Sequence, residues 1–246
     1  MLSRPKRNIL AGVLAAFLLL PALAGAATLQ FSGYTWEVRS GEGGPGPCHW
    51  NPANAFVDAA GQLHLKLSQA DGVWSCAEVS LADTNRLGFG VYQFEVIGAI
   101  DTLDRNVVLG LFNYPPPDVG PDSTNEIDVE IARWGNPDYP NLNFTVWPTR
   151  DNLLPQGTTY EFSLAGTYTT HRFTWRSNGI LFQSLNGHRN DNRNPIARWQ
   201  FSPKQPARYV PQHPLPVHLN LWLFDGNPPT DGREVEIVIS KFSYHR

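Results

Sequence analysis

Three carboxylates alternate along one short stretch of this chain. The segment NEIDVEIARWG places Glu126, Asp128 and Glu130 at every second position, with branched apolar residues between them. A β-strand sends alternate side chains to opposite faces, so the three carboxylates share one face. The pattern fits an amphipathic strand with a solvated acidic face, and it also fits a catalytic strand at the floor of a cleft.

The catalytic interpretation has a specific chemistry. Hydrolysis of a glycosidic bond needs one carboxylic acid to protonate the leaving oxygen and a second carboxylate to attack the anomeric carbon or activate water. The Cα atoms of Glu126 and Glu130 lie roughly 13 Å apart on an extended strand. On a concave sheet their carboxyl groups can approach the roughly 5–5.5 Å of a retaining enzyme. Three neighbouring carboxylates do not all ionise cheaply, so we expect a shared proton and at least one raised pKa.

The rest of the chain predicts the strands that position this segment. Short runs with strand-like alternation recur between turn signals, and Asn178-Gly179 is a strong hairpin signal between two of them. The predicted strands are QLHLKLS, GVYQFEVIG, NVVLGLFNY, NEIDVEIAR, NFTVWP, HRFTWRS, GILFQSLNG, VHLNLWLFD and VEIVISKFSY. No helical pattern exceeds two turns. We therefore predict an all-β sandwich or barrel forming one domain, with surface loops at 41–47 and 114–124.

Composition excludes several classes of function. The formal net charge of −3 offers no basic face for nucleic acid. The seven histidines show no zinc-binding spacing, and we find no nucleophile elbow or phosphate-binding loop. Aromatic residues make up 12% of the chain, including eight tryptophans, which suits both a packed core and stacking on sugar rings.

The N-terminus has the pattern of a secretory signal peptide. Three basic residues, Arg4, Lys6 and Arg7, precede an apolar run, and the small residues of ALAGAA follow it. A single membrane anchor is the alternative, but Pro21 and the A-x-A patterns favour cleavage after Ala24 or Ala26. We expect a signal peptide at 1–26, a mature domain at 27–246 and no second membrane span.

Both cysteines, Cys48 and Cys76, lie in the expected mature part. An exported chain meets an oxidising compartment, so a disulfide is expected, worth roughly 3–4 kcal/mol on the chain-entropy model. Two cysteines without C-x-x-C spacing do not indicate a metal site.

An ordered set of motifs resembles glycoside hydrolase family 16, in particular the bacterial lichenases, which are endo-β-1,3-1,4-glucanases. EIDVE resembles the family's active-site strand, and CHWNPANAFVDAAGQLHLKLS followed by CAEVS resembles its cysteine-bearing segment. GFGVYQFEV, GLFNY, HRFTW, NGILFQSLNG and HLNLWLFDG resemble further strands in order. The likeness extends from Phe31 to Tyr244.

The resemblance implies a concanavalin A-like jelly-roll sandwich of two curved antiparallel sheets. It implies a secreted or periplasmic retaining endo-glycosidase that acts without a cofactor on a β-1,3-1,4- or β-1,3-linked glucan. Relatives carry calcium on the outer sheet, but no local acidic loop of this sequence predicts a metal site. Glu126 would be the nucleophile, Glu130 the acid and base, and Asp128 the residue that tunes Glu126. We expect a monomer whose partner is the polysaccharide alone.

The resemblance also implies substrate contacts, at Glu78, Phe112, Tyr114, Trp147 (or its neighbour Thr145), Asn220 and Trp222. Three places depart from the lichenase pattern. Ser80 stands where those enzymes have arginine, Thr124-Asn125 where they have Trp-Asp, and GEGGPGP where they have an asparagine-bearing loop. These departures concern sugar subsites and leave the linkage open.

Two alternatives use the same fold. A transglycosylase would transfer the glycosyl group to a sugar in place of water, and the sequence hardly separates it from a hydrolase. A carbohydrate-binding protein without catalysis has no need of the acid/base pair, so the three intact carboxylates argue against it.

Overall fold

The computed structural model describes residues 27–246, and the predicted signal peptide at 1–26 lies outside the described residues. Seventeen strands make up about half of that part of the chain. They are β1 Thr28–Phe31, β2 Tyr34–Val38, β3 Gly41–Gly43, β4 Cys48–Trp50, β5 Ala55–Val57, β6 Leu63–Ala70, β7 Val73–Leu81, β8 Gly90–Ile97, β9 Val107–Asn113, β10 Ile127–Ile131, β11 Leu142–Val146, β12 Gln156–Tyr160, β13 Tyr168–Arg176, β14 Gly179–Asn186, β15 Pro195–Phe201, β16 Val217–Leu223 and β17 Val235–His245.

Helical structure in residues 27–246 is limited to short turns. The single α-helix, α1, spans Pro206–Tyr209, and four 3-10 turns span Pro52–Asn54, Asp83–Asn85, Ile100–Thr102 and Phe224–Gly226. Within the described residues no helix has the length and apolar character needed to cross a membrane.

The strands form two antiparallel sheets. One has eight strands in the order β1-β2-β7-β16-β9-β10-β11-β12, and we call it the cleft sheet. The other has seven strands in the order β5-β6-β17-β8-β13-β14-β15, and we call it the outer sheet. Strands β6 and β7 form a hairpin that connects the two sheets. The sheet system is strongly curved.

The core lies between the two sheets because each strand buries one of its two faces. On β10 the apolar residues Ile127, Val129 and Ile131 are at most 1% exposed. Their counterparts on the outer sheet include the stacked rings of Tyr92 and Phe173, 4.6 Å apart. The carboxylates of the NEIDVEI segment therefore lie on the face of β10 that points away from the core.

All nine strands predicted from the sequence are present, and so is the β13–β14 hairpin. Its two-residue turn is Ser177-Asn178, one position earlier than predicted, and Gly179 already pairs with Arg176. A Cβ at Gly179 would lie 2.5 Å from the carbonyl oxygen of Phe201 on β15. Glycine is thus required there by the close approach of the neighbouring strand, not by the turn.

The predicted disulfide between Cys48 and Cys76 is confirmed. It joins β4 to β7, which also pair in parallel through Trp50 and Cys76. The sequence 41–47, predicted as a surface loop, contains strand β3, which pairs with β4. The disulfide therefore fastens this small hairpin to the central part of the cleft sheet.

Candidate active site

The exposed face of the cleft sheet forms the floor of a cleft of about 1240 Å³. Because residues paired across antiparallel strands point to the same side, the strand register defines rows of side chains along this floor. One row is Ser80, His218, Phe112, Asp128, Thr145 and Gly157, and the next is Glu78, Asn220, Gly110, Glu130, Asn143 and Thr159. The two rows cross the sheet from β7 to β12, with the carboxylate strand β10 near the middle.

Asp128 is the most enclosed of the three carboxyls, at 2% exposed, whereas Glu126 and Glu130 are half-buried. Its Oδ2 accepts a hydrogen bond of 2.9 Å from Trp147 Nε1. No N–H or O–H of the described residues reaches its buried Oδ1. The remaining partner of Asp128 is the carboxyl group of Glu126, and two carboxyls hydrogen-bond only through a proton held between them.

All three pKa values are raised. Burial, followed by the charge of Glu130, raises the pKa of Glu126 to about 8, although the hydrogen bond with Asp128 acts in the opposite direction. Burial raises the pKa of Glu130 to about 7. Burial and the charge of Glu126 raise the pKa of Asp128 well above its usual range. The three carboxyls release their protons as a set, and near neutral pH this set retains protons that isolated carboxyls would have lost.

Catalysis by two carboxyls requires the distribution with a proton on Asp128, another on Glu130 and one negative charge on Glu126. Because the pKa of Glu126, about 8, lies above that of Glu130, about 7, this distribution exists alongside the form with the charge on Glu130. The hydrogen bond donated by Asp128 then stabilises the Glu126 carboxylate. This distribution provides a nucleophilic carboxylate and a neutral acid side by side, which is the requirement of a two-carboxyl glycosidase.

A fourth carboxylate, Glu78, also lies in the cleft. It belongs to β7, which is separated from β9 by β16. Arg39 Nη1 donates to its Oε2 at 3.0 Å, and His218 Nδ1 lies 3.1 Å from its Oε1. The Nδ2 of Asn220 is 3.4 Å from Oε2. Burial alone would raise the pKa of Glu78, but the hydrogen bonds and charges of His218 and Arg39 outweigh it and lower the pKa. Glu78 is therefore ionised at neutral pH, unlike the carboxyl set on β10.

Aromatic side chains line both sides of the floor. Phe112 and Tyr114 pack edge to face with centroids 6.3 Å apart, and the Tyr114 hydroxyl donates to Asp122 at 2.6 Å. Farther along, Trp222 contacts Trp134, with ring centroids 6.2 Å apart. Such faces are suited to stacking on the apolar faces of sugar rings.

Trp134 belongs to the loop 132–141 that follows the carboxylate strand. Its backbone is in the left-handed region, with φ of 51°, which turns the chain back toward the cleft. The neighbouring Arg133 fixes this loop, since it donates to the carbonyl oxygens of Pro137 and Tyr139 and to Glu161. The ordered loop holds Trp134 against Trp222 and Phe224.

The structure brings all nine predicted site residues to this cleft, whose lining includes Glu78, Phe112, Tyr114, Glu126, Asp128, Glu130, Trp147, Asn220 and Trp222. It adds lining residues that sequence reasoning did not select, including Arg39, Trp134, Asn143, Gly157 and His218. His218 had a usable signal, because it lies two residues before Asn220 and so on the same strand face. Arg39 had none, because only the tertiary fold brings it to Glu78.

Asn143-Phe144-Thr145 fits the glycosylation acceptor pattern, but Asn143 is only 4% exposed. Its Nδ2 donates to the carbonyl oxygen of Ala132 at 3.0 Å. The amide is thus used inside the protein, where it ties β11 to the end of β10.

Two of the departures from the lichenase pattern have a structural account. Thr124 and Asn125 are buried, and the Thr124 hydroxyl donates to Pro121 O while Asn125 Nδ2 donates to that hydroxyl. They brace the loop 114–124 and are not part of the cleft lining. In the segment 41–47, Gly44 and Pro45 line the cleft, and Arg39 donates to Gly44 O.

Solved structures share this fold. A β-glucanase from Bacillus licheniformis has a TM-score of 0.63 at 20% identity, with 91% of this chain and 99% of that chain covered. A glycoside hydrolase family 16 endo-glucanase from Bacteroides ovatus has a TM-score of 0.63 at 13% identity, covering 85% and 94%. A laminarinase from a Flavobacterium species has a TM-score of 0.62 at 13% identity, covering 86% and 93%.

No protein-family model matches the sequence, and no curated protein does. At 20% identity and below, the structural likeness establishes the fold. The predicted jelly-roll sandwich of two curved antiparallel sheets is confirmed, and the structures that share it include the β-glucanases that the sequence resembles.

Proposed function

We propose that this protein is a glycoside hydrolase of the family 16 type, a retaining endo-β-glucanase. The observation that carries the proposal is the set Glu126, Asp128 and Glu130 on one strand at the floor of an open cleft, with raised pKa values and a hydrogen bond between Asp128 and Glu126. A solvated acidic face would be exposed and would keep ordinary pKa values, so that interpretation does not account for this set.

In the first step the carboxylate of Glu126 attacks the anomeric carbon, and the glycosidic C–O bond breaks. Glu130 gives its proton to the departing oxygen, so the leaving sugar departs as an alcohol and a glycosyl ester remains on Glu126. Asp128 keeps its proton and donates the hydrogen bond that holds Glu126 as a single charged nucleophile.

In the second step Glu130, now a carboxylate, takes a proton from water while the water oxygen attacks the anomeric carbon. The ester bond breaks, Glu126 leaves as a carboxylate and Glu130 is again protonated. Two displacements at the same carbon retain its configuration. The half-buried position of Glu126 and Glu130 leaves both of them accessible to a chain lying in the cleft.

The substrate class we propose is a β-1,3-1,4- or β-1,3-linked glucan. The neighbours named β-glucanase, endo-glucanase and laminarinase support it, as does the charge of the cleft. Ionised Glu78 and the charge on the β10 set make this surface a poor site for a sulfated or uronic-acid polymer. The cleft is open, as an enzyme that cuts within long chains requires.

We also propose that the protein acts as a monomer after export, in the periplasm or outside the cell. The signal-peptide pattern at 1–26 and the disulfide between Cys48 and Cys76 support export. N-terminal sequencing of the exported protein is the test, and a start at Gly25 or Ala27 is expected. Sedimentation of that material should give the mass of one chain.

The deciding experiment is release of reducing sugar by the mature protein and its Glu126→Ala variant. The panel holds mixed-linkage β-glucan, laminarin, xyloglucan, agarose and carrageenan. We expect release from mixed-linkage glucan or laminarin, with the β-anomer formed first in the product, and loss of release in the variant. Longer products in the presence of an oligosaccharide acceptor would assign transglycosylation, and glucan binding without any release would contradict the proposal.

A further inference from the structure

We propose that His218 is a specificity-determining residue that accepts a hydrogen bond from a sugar hydroxyl about two strands from the carboxylate strand. The inference rests on the proposed function and concerns how the same cleft selects its substrate. It begins with the position of His218 on β16, where it pairs with Phe112 on β9, which in turn pairs with Asp128 on β10. At about 4.8 Å per strand, His218 is roughly 10 Å from the carboxylate strand.

The ring of His218 is fixed from two sides. It lies against the Phe112 ring with centroids 5.2 Å apart and an interplanar angle of 30°, and edge to face with Tyr114 at 5.7 Å. Its cross-strand partner on the other side is Ser80, whose small side chain stands where a longer one would compete for the same space. The His218 side chain is 16% exposed, and it lines the cleft.

The contact with Glu78 determines which nitrogen carries the proton. Glu78 is held ionised by Arg39 and His218, and an ionised carboxylate can only accept hydrogen bonds. The Nδ1 of His218, 3.1 Å from Glu78 Oε1, must therefore be the donor. The charge of Glu78 is already balanced by the guanidinium of Arg39, which donates to Oε2, so the His218 ring does not need a second proton. In the neutral imidazole Nε2 then has a free lone pair, because the two ring nitrogens divide the two roles between them.

Two further acceptors, on β16 and β7, line the same cleft. The Oδ1 of Asn220 is buried and has no donor among the described residues. Glu78 Oε1 accepts from His218 and, as a carboxylate oxygen, has room for a second donor. This end of the cleft therefore presents acceptors, and it fits a sugar unit with free hydroxyls to donate. A sulfate ester or a fully substituted sugar offers no such donors and would leave the buried acceptors unpaired.

Two variants separate the proposed hydrogen bond between His218 and the sugar from the hydrogen bond that His218 donates to Glu78. In His218→Asn the amide Nδ2 can replace Nδ1 as donor to Glu78, while the Nε2 acceptor is lost. In His218→Gln the side chain reaches the Nε2 position with a polar group but loses the geometry toward Glu78. Exposed His213, outside the cleft lining, provides the control variant His213→Asn.

The measurement is kcat/KM on gluco-oligosaccharides of increasing length. We expect His218→Asn to lose about 5–10-fold on substrates long enough to reach the residue, mainly through KM, and to match the wild type on the shortest substrate cleaved. We expect His218→Gln to lose less than His218→Asn on the long substrates, and His213→Asn to change nothing.

Equal activity of His218→Asn and wild type at every length would overturn the proposal. So would an equal loss at every length, because that result would assign His218 a purely structural role. Failure of the proposed function gives a different result, since then the wild-type protein itself would release no sugar from any glucan.

Discussion

Asn220 and Gly110 face each other across β16 and β9, and the Asn220 carboxamide occupies the space that a side chain at position 110 would need. A Cβ at Gly110 would lie 2.4 Å from Asn220 Oδ1 and 3.3 Å from its Cγ. Gly110 also pairs with Glu130 on its other side. The missing side chain thus lets Asn220 reach across β9 toward the proposed acid.

This relationship predicts the effect of Gly110→Ala. The new methyl group must displace the Asn220 carboxamide in a buried part of the sheet, which should cost about 1–3 kcal/mol of folding stability. Activity on glucan should fall at least about 10-fold, because a displacement of 1 Å in a site can cost more than that. Gly88→Ala is the matched control, since the nearest atom to a Cβ there is 3.8 Å away. Wild-type kinetics for a folded Gly110→Ala protein would contradict the assignment of Asn220 to the site.

The role of Glu130 as acid predicts a dependence on the leaving group. Glu130→Gln should lower kcat/KM on glucan by about 10²–10⁴-fold, because the departing sugar alkoxide needs a proton. An aryl glycoside whose leaving group is a weak base needs little protonation and should retain most of its rate of glycosyl-enzyme formation. Steady-state and burst kinetics on both substrates check this, and an equal loss on both would assign Glu130 to another role.

The raised pKa of Glu130 also predicts how activity depends on pH. Glu126 must be ionised and Glu130 protonated, and their pKa values are about 8 and about 7. Therefore kcat/KM on glucan should follow a bell-shaped dependence on pH, with its maximum between about 7 and about 8 and a decline at higher pH. The aryl glycoside should lack this alkaline decline. A profile on glucan that stays flat up to about pH 9 would be inconsistent with a carboxyl acid at position 130.

The same pKa predicts a cost in stability. Between the ordinary pKa of 4.5 and about 7, folded Glu130 binds more proton than unfolded Glu130 does, so it destabilises the folded state progressively as the pH rises through this window. Glu130→Gln should therefore match the wild-type Tm at about pH 4 and exceed it by about 3–6 °C at about pH 8. Thermal unfolding across this pH range is the measurement, with Glu37→Gln as the exposed control. A lower Tm of Glu130→Gln at the alkaline end would contradict this account.

The disulfide gives a further expectation. Cys48 and Cys76 are 28 residues apart, so their bond should stabilise the fold by about 3–4 kcal/mol on the chain-entropy model. Cys48→Ala/Cys76→Ala should lower the Tm by roughly 10 °C, and reductant should lower the Tm of the wild type but leave that of the variant unchanged. KM should also rise, since Trp50 on β4 supports Arg39, whose guanidinium lies 4.3 Å from the indole centroid. An unchanged Tm would contradict the stabilising role of the bond.

The sequence predicted the parts of this structure that depend on local pattern. Strand β10 has strict alternation, so its buried and cleft faces could be assigned before the fold was known. Strand β12 could not be identified in the same way, because this edge strand, Gln156–Tyr160, buries little and carries no apolar alternation. Strands β3 and β4 are only three residues long, and β4 is held by pairing with β7 and by the disulfide, which no local pattern specifies.

The polar contacts of the site were less accessible to sequence reasoning. Glu78 and His218 are 140 residues apart, and only the register of β7 against β16 brings them together. Arg39 reaches Glu78 across a separation of 39 residues, from the end of β2. Nothing in the local pattern around either residue specifies its partner, because hydrogen bonds of this kind follow from tertiary geometry.

The order of strands in the cleft sheet has a consequence for how the protein is made. Strand β16 lies between β7 and β9, so two strands from the first half of the chain become neighbours of a common strand only when Val217–Leu223 is inserted. Before that insertion the sheet is split, and the floor lacks His218, Asn220 and Trp222. A chain that ends before Val217 leaves two separated halves of the cleft sheet with a gap in the floor. The cleft therefore exists only in the finished molecule, and a truncated chain should have no partial activity.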